Sequence, residues 1–334
     1  MSHPKATTPE MNVLFKWCVE QETTIPVYDG QLRFLSLIGA SESTIIDAIL
    51  RYGIVREQIP TEHLNSLAVW EALLEKMPME AMLRNLAKMS SIGLLKGKNL
   101  NTVVDRLADE NIVKKSKFHP LKVLAAWKTY SQGHGEKGNL SWKPEKLIED
   151  ALQNVTFYHA FKTIVPSGKR LLLGLDVSGS MTWEVGFGGF DARTISAVMA
   201  MATVRTETCK TMAFSNTFME LNLKPDDNLY QVTQKISGLP FSSTDCSLPM
   251  VWALKNNIPV DCFVIYTDSE TNTGHSPKRA LDEYRQKMGI EAKQIVVGIT
   301  ATNVTVADPN DPLTMDVAGF DAGCPAAISA FSKG

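Results

Sequence analysis

The chain has 334 residues, enough for two domains of ordinary size, each burying its own core. Apolar residues make up 44% and charged residues 21%, a globular rather than a disordered balance, and no run is apolar for long enough to form a membrane helix. The net charge of -2 hides an asymmetry: residues 81–130 hold ten basic side chains against three acidic ones. Such an excess can attract a polyanion such as RNA; from charge alone, a solvated helical face is the plainer reading. The opening MSHPKATTPE has no basic stretch leading into an apolar one, so no secretory leader is expected. Cys18, Cys209, Cys246, Cys262 and Cys324 are odd in number and far apart, with no CxxC pair. That pattern argues against a disulfide framework or a zinc site and for a reducing compartment, cytosol or nucleus.

The first half reads as successive helices. In Leu64–Met77 the apolar residues Leu67, Trp70, Leu74 and Met77 recur at helical spacing. Pro78 interrupts, and Met79–Met89 continues with Met79, Met82, Leu83 and Leu86 on one side and Arg84 and Lys88 on the other. Asn101–Asn111 brings Val103, Val104 and Leu107. Pro120 opens Leu121–Tyr130, which stops at Gly133. Residues 131–143 read as a polar loop, and Pro144 opens a further helix with Leu147, Ile148, Ala151 and Val155 as its stripe. Short helices with one apolar face each suggest a stacked, solenoid-like array.

At Pro166-Ser167-Gly168 the pattern changes to strands alternating with helices. Strands are expected at Arg170–Val177, Lys210–Ser215, Asp261–Thr267 and Lys293–Thr300. Helices are expected at Asp191–Thr206, Asn228–Ser237, Leu248–Asn256 and Pro277–Met288. This alternation predicts a doubly wound sheet with its ligand site at the strands' C-terminal ends.

Three features fall on that edge. Asp176-Val177-Ser178-Gly179-Ser180 follows the first strand, and an extended turn freed by Gly179 would let one carboxylate and two hydroxyls converge. Thr244, in Phe241-Ser242-Ser243-Thr244-Asp245, offers a third hydroxyl, and Asp268 closes the strand FVIYT. Oxygen donors of this kind suit a hard divalent cation, Mg²⁺ first and Ca²⁺ or Mn²⁺ next. The bland alternative is that Asp176 and Asp268 cap the helices that follow. The set DxSxS, Thr and Asp resembles the metal-ion-dependent adhesion site of von Willebrand factor A domains. That resemblance implies that Ser178 and Ser180 touch the metal, that Thr244 does so directly or through water, and that the two aspartates act mainly one layer behind. A hydrolase reading would need Ser180 or His275, but Ser180 lies outside a GxSxG elbow, and no enzyme is expected. The run GFGGF (186–190) lacks the Lys-Ser/Thr ending of a phosphate loop.

Longer phrases carry a more specific resemblance. DVSGSM, SSTDCSLPMVWA, FVIYTDSET, KRALDEYRQKMGIEAKQIVVGIT and DVAGFDAG resemble the A domain of the Ro ribonucleoprotein autoantigen family. GIVREQIPTEHL, VWEALLEKMPMEAMLRNLAKM and HPLKVLAAWKTYSQGHGEKG resemble the stretch preceding it. The resemblance implies a HEAT-like α-helical repeat array of the TROVE type at 1–168, followed by a Rossmann-like von Willebrand factor A domain at 169–334. It implies binding of Y RNAs and of single-stranded 3′ ends of misfolded small noncoding RNAs, a role in RNA quality control without catalysis, and a cytoplasmic or also nuclear location. Against that family, the sequence lacks much of the N-terminal helical ring, so a partial array is expected. Ser2 to Lys5 resembles a point inside the repeats where a histidine contributes to RNA binding. By that reading His3 and Lys5 are RNA contacts, and Arg84, Lys88, Lys114, Lys115 and Lys117 join them from the basic stretch. The rival expectation is a metal-dependent module that presents its cation to a carboxylate on a protein partner.

Overall fold

The computed structural model describes residues 37, 39–135, 138–161, 164–185, 189–240, 242–268, 271, 274–299, 306–319 and 321–334. His3 and Lys5 lie outside the described residues. The helices begin with α1, Glu42–Tyr52, where Ser41 Oγ accepts the Thr44 N–H at 3.3 Å and Gly53 ends the helix at φ 67°. α2, Leu67–Lys76, is capped by Ser66 and buries Trp70 and Leu74. Leu67, at its first turn, is half exposed, so the expected stripe starts one turn later. Pro78 separates α2 from α3, Met79–Ser91, whose buried face carries Met79, Met82, Leu83 and Leu86 as expected, and Met89 in addition.

Two breaks escaped the sequence reading. The helix expected over Asn101–Asn111 is two helices, α4 (Gly97–Ala108) and α5 (Glu110–Ser116). Asp109 between them has extended backbone, and its Oδ1 accepts the N–H groups of Asn111 and Ile112 at 2.8 and 3.0 Å. A side chain that bonds its own following amides competes with helix continuation, and here it starts a new one. α6 spans Pro120–Ser131. α7, Lys146–Ala151, runs into a π turn over Leu152–Thr156 and a last α turn at Phe157–His159. Thr156 Oγ1 donates to the carbonyls of Ala151 and Leu107 at 3.0 and 2.9 Å. The wider turn shifts the buried face: Leu147 is exposed and Val155 only partly buried, while Leu152, Thr156 and Phe157 turn inward beside Ile148 and Ala151.

By packing, the chain forms two units. One holds the described residues up to Arg106 together with Gln132–Glu145; the other holds Leu107–Ser131 and Lys146–Gly334. In the first, the Arg106 guanidinium donates to the carbonyls of Leu74 and Met77, satisfying acceptors left open where α2 ends. The change from helices to strands at Pro166-Ser167-Gly168 falls inside the second unit.

That second unit is built on six strands: β1 (Arg170–Asp176), β2 (Thr208–Phe214), β3 (Phe218–Glu220), β4 (Cys262–Thr267), β5 (Lys293–Gly298) and β6 (Thr314–Ala318). Their order is β3-β2-β1-β4-β5-β6, parallel throughout except for β3, which runs antiparallel to β2. The intervening helices are α8 (Ala192–Val204), α9 (Leu229–Ser237), α10 (Leu248–Lys255) and α11 (Pro277–Met288), with α12 (Cys324–Lys333) closing the chain. α8 is buried along its whole length; most of it is Ala, Met, Val and Ile, and among its buried polar groups Arg193 pairs with Asp191 and the Ser196 hydroxyl donates to Ala192 O. β3, β6, α1 and α12 went unforeseen, because β3 is three residues long and β6 is a partly exposed edge strand.

The central strand β1 is pressed against α10. A Cβ added to Gly174 would stand 2.9 Å from Pro249 Cγ, 3.3 Å from Ile265 Cδ1 and 3.4 Å from Phe214 Cε1. Gly174→Ala is therefore expected to destabilise the protein by about 1–3 kcal/mol through overpacking, read as a lower urea midpoint at unchanged slope.

Candidate metal centre

β1 delivers Asp176 to the C-terminal edge of the sheet as a fully buried carboxylate. Asp176 Oδ1 accepts the Ser178 N–H at 2.8 Å, an Asx turn that bends the chain as it leaves the strand. Ser180–Thr182 follows as a 3-10 turn, leaving Ser178 Oγ and Ser180 Oγ 3.3 Å apart. Ser178 is buried and Ser180 exposed, so the hydroxyl pair leads from the interior to the surface. Gly179 corrects an expectation: at φ -60° and ψ -39° it is ordinary right-handed backbone, and the turn is helical rather than extended. The convergence comes from the Asx turn and the following helical turn, not from glycine's freedom.

Two further loops are tied to this one. The Gly179 N–H donates to Ser242 O at 3.0 Å, bringing in the segment that carries the buried Thr244. On the other side, Thr267 Oγ1 donates to Asp176 Oδ2 at 2.7 Å, which fixes the end of β4 where half-buried Asp268 begins its loop. Asp176, Ser178, Ser180, Thr244 and Asp268 thus stand on three cross-linked loops at one sheet edge. Sequence reasoning missed Thr267 and the Ser242 carbonyl. A hydroxyl at the last buried position of a strand, immediately before Asp268, was the available signal for Thr267.

Burial pushes the Asp176 carboxyl up to about 6 and the charge of Asp268 adds to this, while hydrogen bonds from Ser178 and Thr267 act in the opposite direction. A buried carboxylate facing a second one, beside two adjacent hydroxyls, fits a hard cation, whose charge would offset both the burial and the repulsion. Among the described residues no three His, Cys, Asp or Glu side chains gather as ligands, so a cation here would depend on serine and threonine hydroxyls. The donor set suits Mg²⁺, Mn²⁺ or Ca²⁺ rather than a soft metal.

The basic residues fall into separate groups. Arg84 is exposed on α3, and Lys88 Nζ donates to Asn65 Oδ1 at 2.6 Å. Lys114, Lys115 and Lys117 are exposed on and just after α5, with Lys114 paired to Glu110 at 2.5 Å. Lys117 ends α5 in left-handed conformation at φ 52°. The first pair belongs to one packing unit and the three lysines to the other. His275 is exposed just before α11.

Because the folded Asp176 titrates above its ordinary value of 3.8, its protonated form is favoured by folding. In chelator, the stability this carboxyl contributes should fall as pH rises from about 4 to about 6. Melting temperatures across that range should show this slope in the parent chain and a flatter one in Asp176→Asn; equal slopes would remove Asp176 as the source.

Sequence comparison places these features in a family. The Ro60 vWA domain profile matches residues 170–332 and the TROVE domain profile residues 50–129. RNA-binding protein RO60 of Caenorhabditis elegans is 40% identical over 92% of this chain and 50% of its own length. The Deinococcus radiodurans protein of the same name is 35% identical over 100% of this chain and 64% of its own. The crystal structure of the Deinococcus radiodurans RO (RSR) protein superposes with a TM-score of 0.72 at 35% identity, over 99% of this chain and 68% of that one. The chain spans between half and two thirds of the length of these curated relatives. A helical region leading into an A domain with the DxSxS, Thr and Asp set, and identity at this level along nearly the whole chain, make it a member of the Ro60 family.

Proposed function

We propose that the chain is an RNA-binding, noncatalytic ribonucleoprotein component: a TROVE-type helical array at 1–168 that engages RNA, and a von Willebrand factor A domain at 169–334 that holds a divalent cation, Mg²⁺ first. The observation that carries the RNA reading is an overlap. The TROVE match at 50–129 contains nearly all of the 81–130 stretch, with its ten basic and three acidic side chains. The relatives named as RNA-binding proteins share that stretch with this chain. Family resemblance supports Y RNAs and the single-stranded 3′ ends of misfolded small RNAs as ligands, and the cytoplasm, with the nucleus second, as the location. A basic surface that tracks phosphates gives sequence-tolerant, salt-sensitive affinity, which suits ends of varied sequence.

The cation would be held by Ser178 and Ser180, with Thr244 beside them and Asp176 and Asp268 setting the charge. Exposed Ser180 leaves the outer side of the site open to solvent, and Trp183, three residues on, is 76% exposed. That opening supports a second reading, in which a carboxylate on a protein partner completes the coordination.

Binding to a structured RNA with a single-stranded 3′ tail, titrated across salt beside a tail-less control, tests the first reading. Tail-dependent binding with a steep salt slope is expected. Replacing Lys114, Lys115 and Lys117 together by alanine should reduce that slope by up to about 2, at ~0.7 per phosphate contact on a single strand. An unchanged slope would sink the lysine assignment, and tail-indifferent weak binding would sink the RNA reading. Loss of a protein partner on Asp176→Ala with RNA binding intact would support the second reading.

A further inference from the structure

Two of the three loops at the candidate metal centre are locked together by a contact that supplies none of the expected ligands. Asp245 follows Thr244 directly. Its N–H donates to Ser215 O at 3.0 Å, anchoring it to the end of β2. Its Oδ1 accepts the Ser247 N–H at 3.0 Å and the Ser247 hydroxyl at 2.6 Å, so the carboxylate is folded back into its own loop. That carboxylate lies flush against Gly274, in the loop that Asp268 begins. A Cβ built on Gly274 would overlap Asp245 Cγ and both carboxylate oxygens, and the residue sits at φ +86°, where a side chain is strained in any case. One residue along, the Cys246 N–H reaches Thr271 Oγ1 at 3.4 Å.

We propose that Asp245 and Gly274 form a clamp that fixes the Thr244 loop against the Asp268 loop and thereby sets the size of ion the centre accepts. The inference rests on the metal reading above. Both are positioning residues: Asp245 acts on its neighbour Thr244, which is buried, and Gly274 acts by leaving the space that the Asp245 carboxylate fills. Mg²⁺ demands near-ideal octahedral geometry at about 2.0–2.1 Å, whereas Ca²⁺ tolerates about 2.3–2.6 Å and variable coordination. Loops locked to one separation favour the smaller, stricter ion. Loosening them costs Mg²⁺ more than Ca²⁺, whereas a general loss of structure would weaken both alike.

The test is calorimetric titration of the full chain, and of its Gly274→Ala, Asp245→Ala and doubly substituted forms, with MgCl₂ and separately with CaCl₂. Gly274→Ala should weaken Mg²⁺ by about tenfold or more, the usual effect of disturbing groups behind the ligands, and Ca²⁺ distinctly less. Asp245→Ala should shift the Mg²⁺-to-Ca²⁺ ratio the same way. In the double variant the collision with the carboxylate is gone and only the strain of an alanine at φ +86° remains, so the two losses should combine to less than their product. Mg²⁺ affinity within twofold of the parent in Gly274→Ala, equal losses for both ions, or losses that multiply in the double variant would each overturn the clamp. A parent chain that binds neither ion would overturn the metal reading and the clamp with it; one that binds while the variants match it overturns the clamp alone. Should Gly274→Ala fail to fold, judged by its metal-free melting curve, the ion ratio of Asp245→Ala decides the matter.

Discussion

The carboxylate of Asp176 is the point on which the second packing unit turns. It sits at the end of the central strand, fully buried, with one oxygen bonded to the Ser178 amide and the other to the Thr267 hydroxyl. The first bond bends the chain so that Ser178 and Ser180 stand together; the second ties β1 to the end of β4. An ionisable group in that position is costly to bury, and its raised titration point records the cost. A cation at the hydroxyls would relieve it.

What holds this arrangement is the order of the sheet. β1 lies between β2 and β4, so the loops that follow all three open on one edge. β2 ends at Phe214, and Ser215 just beyond it anchors Asp245 and hence the Thr244 loop. The fully buried α8 and the tight packing of Gly174 against Pro249 keep the central strands rigid beneath the loops. A site that needs oxygen donors at fixed separations gains from being mounted on elements that cannot slide.

The helical part follows a different logic. Its helices are short and carry one apolar face each, and local side-chain chemistry decides where they break. Asp109 interrupts what apolar spacing reads as one helix, and the π turn at Leu152–Thr156 re-aims the buried face by an extra residue per turn. Its lysines and arginines project from surfaces spread over both packing units, so the basic character of 81–130 is a property of the stretch, not of one helix face.

The sequence by itself determined the alternation of strands and helices after Gly168 and the family, and it singled out Asp176, Ser178, Ser180, Thr244 and Asp268 as oxygen donors. These are carried by short-range patterns: apolar runs of strand length, DxSxS within five residues, and long phrases shared with relatives. Gly179 shows the limit of such reading, because a glycine in a motif suggested a freedom that its backbone does not use. Only the tertiary structure decided that Thr267 bonds Asp176 from 91 residues away, that Gly179 is held by Ser242, and that Gly274 must lack a side chain because Asp245 occupies the space. Each of these depends on which strands lie side by side. That order is set by the packing of the whole sheet and leaves no local mark on the residues it brings together.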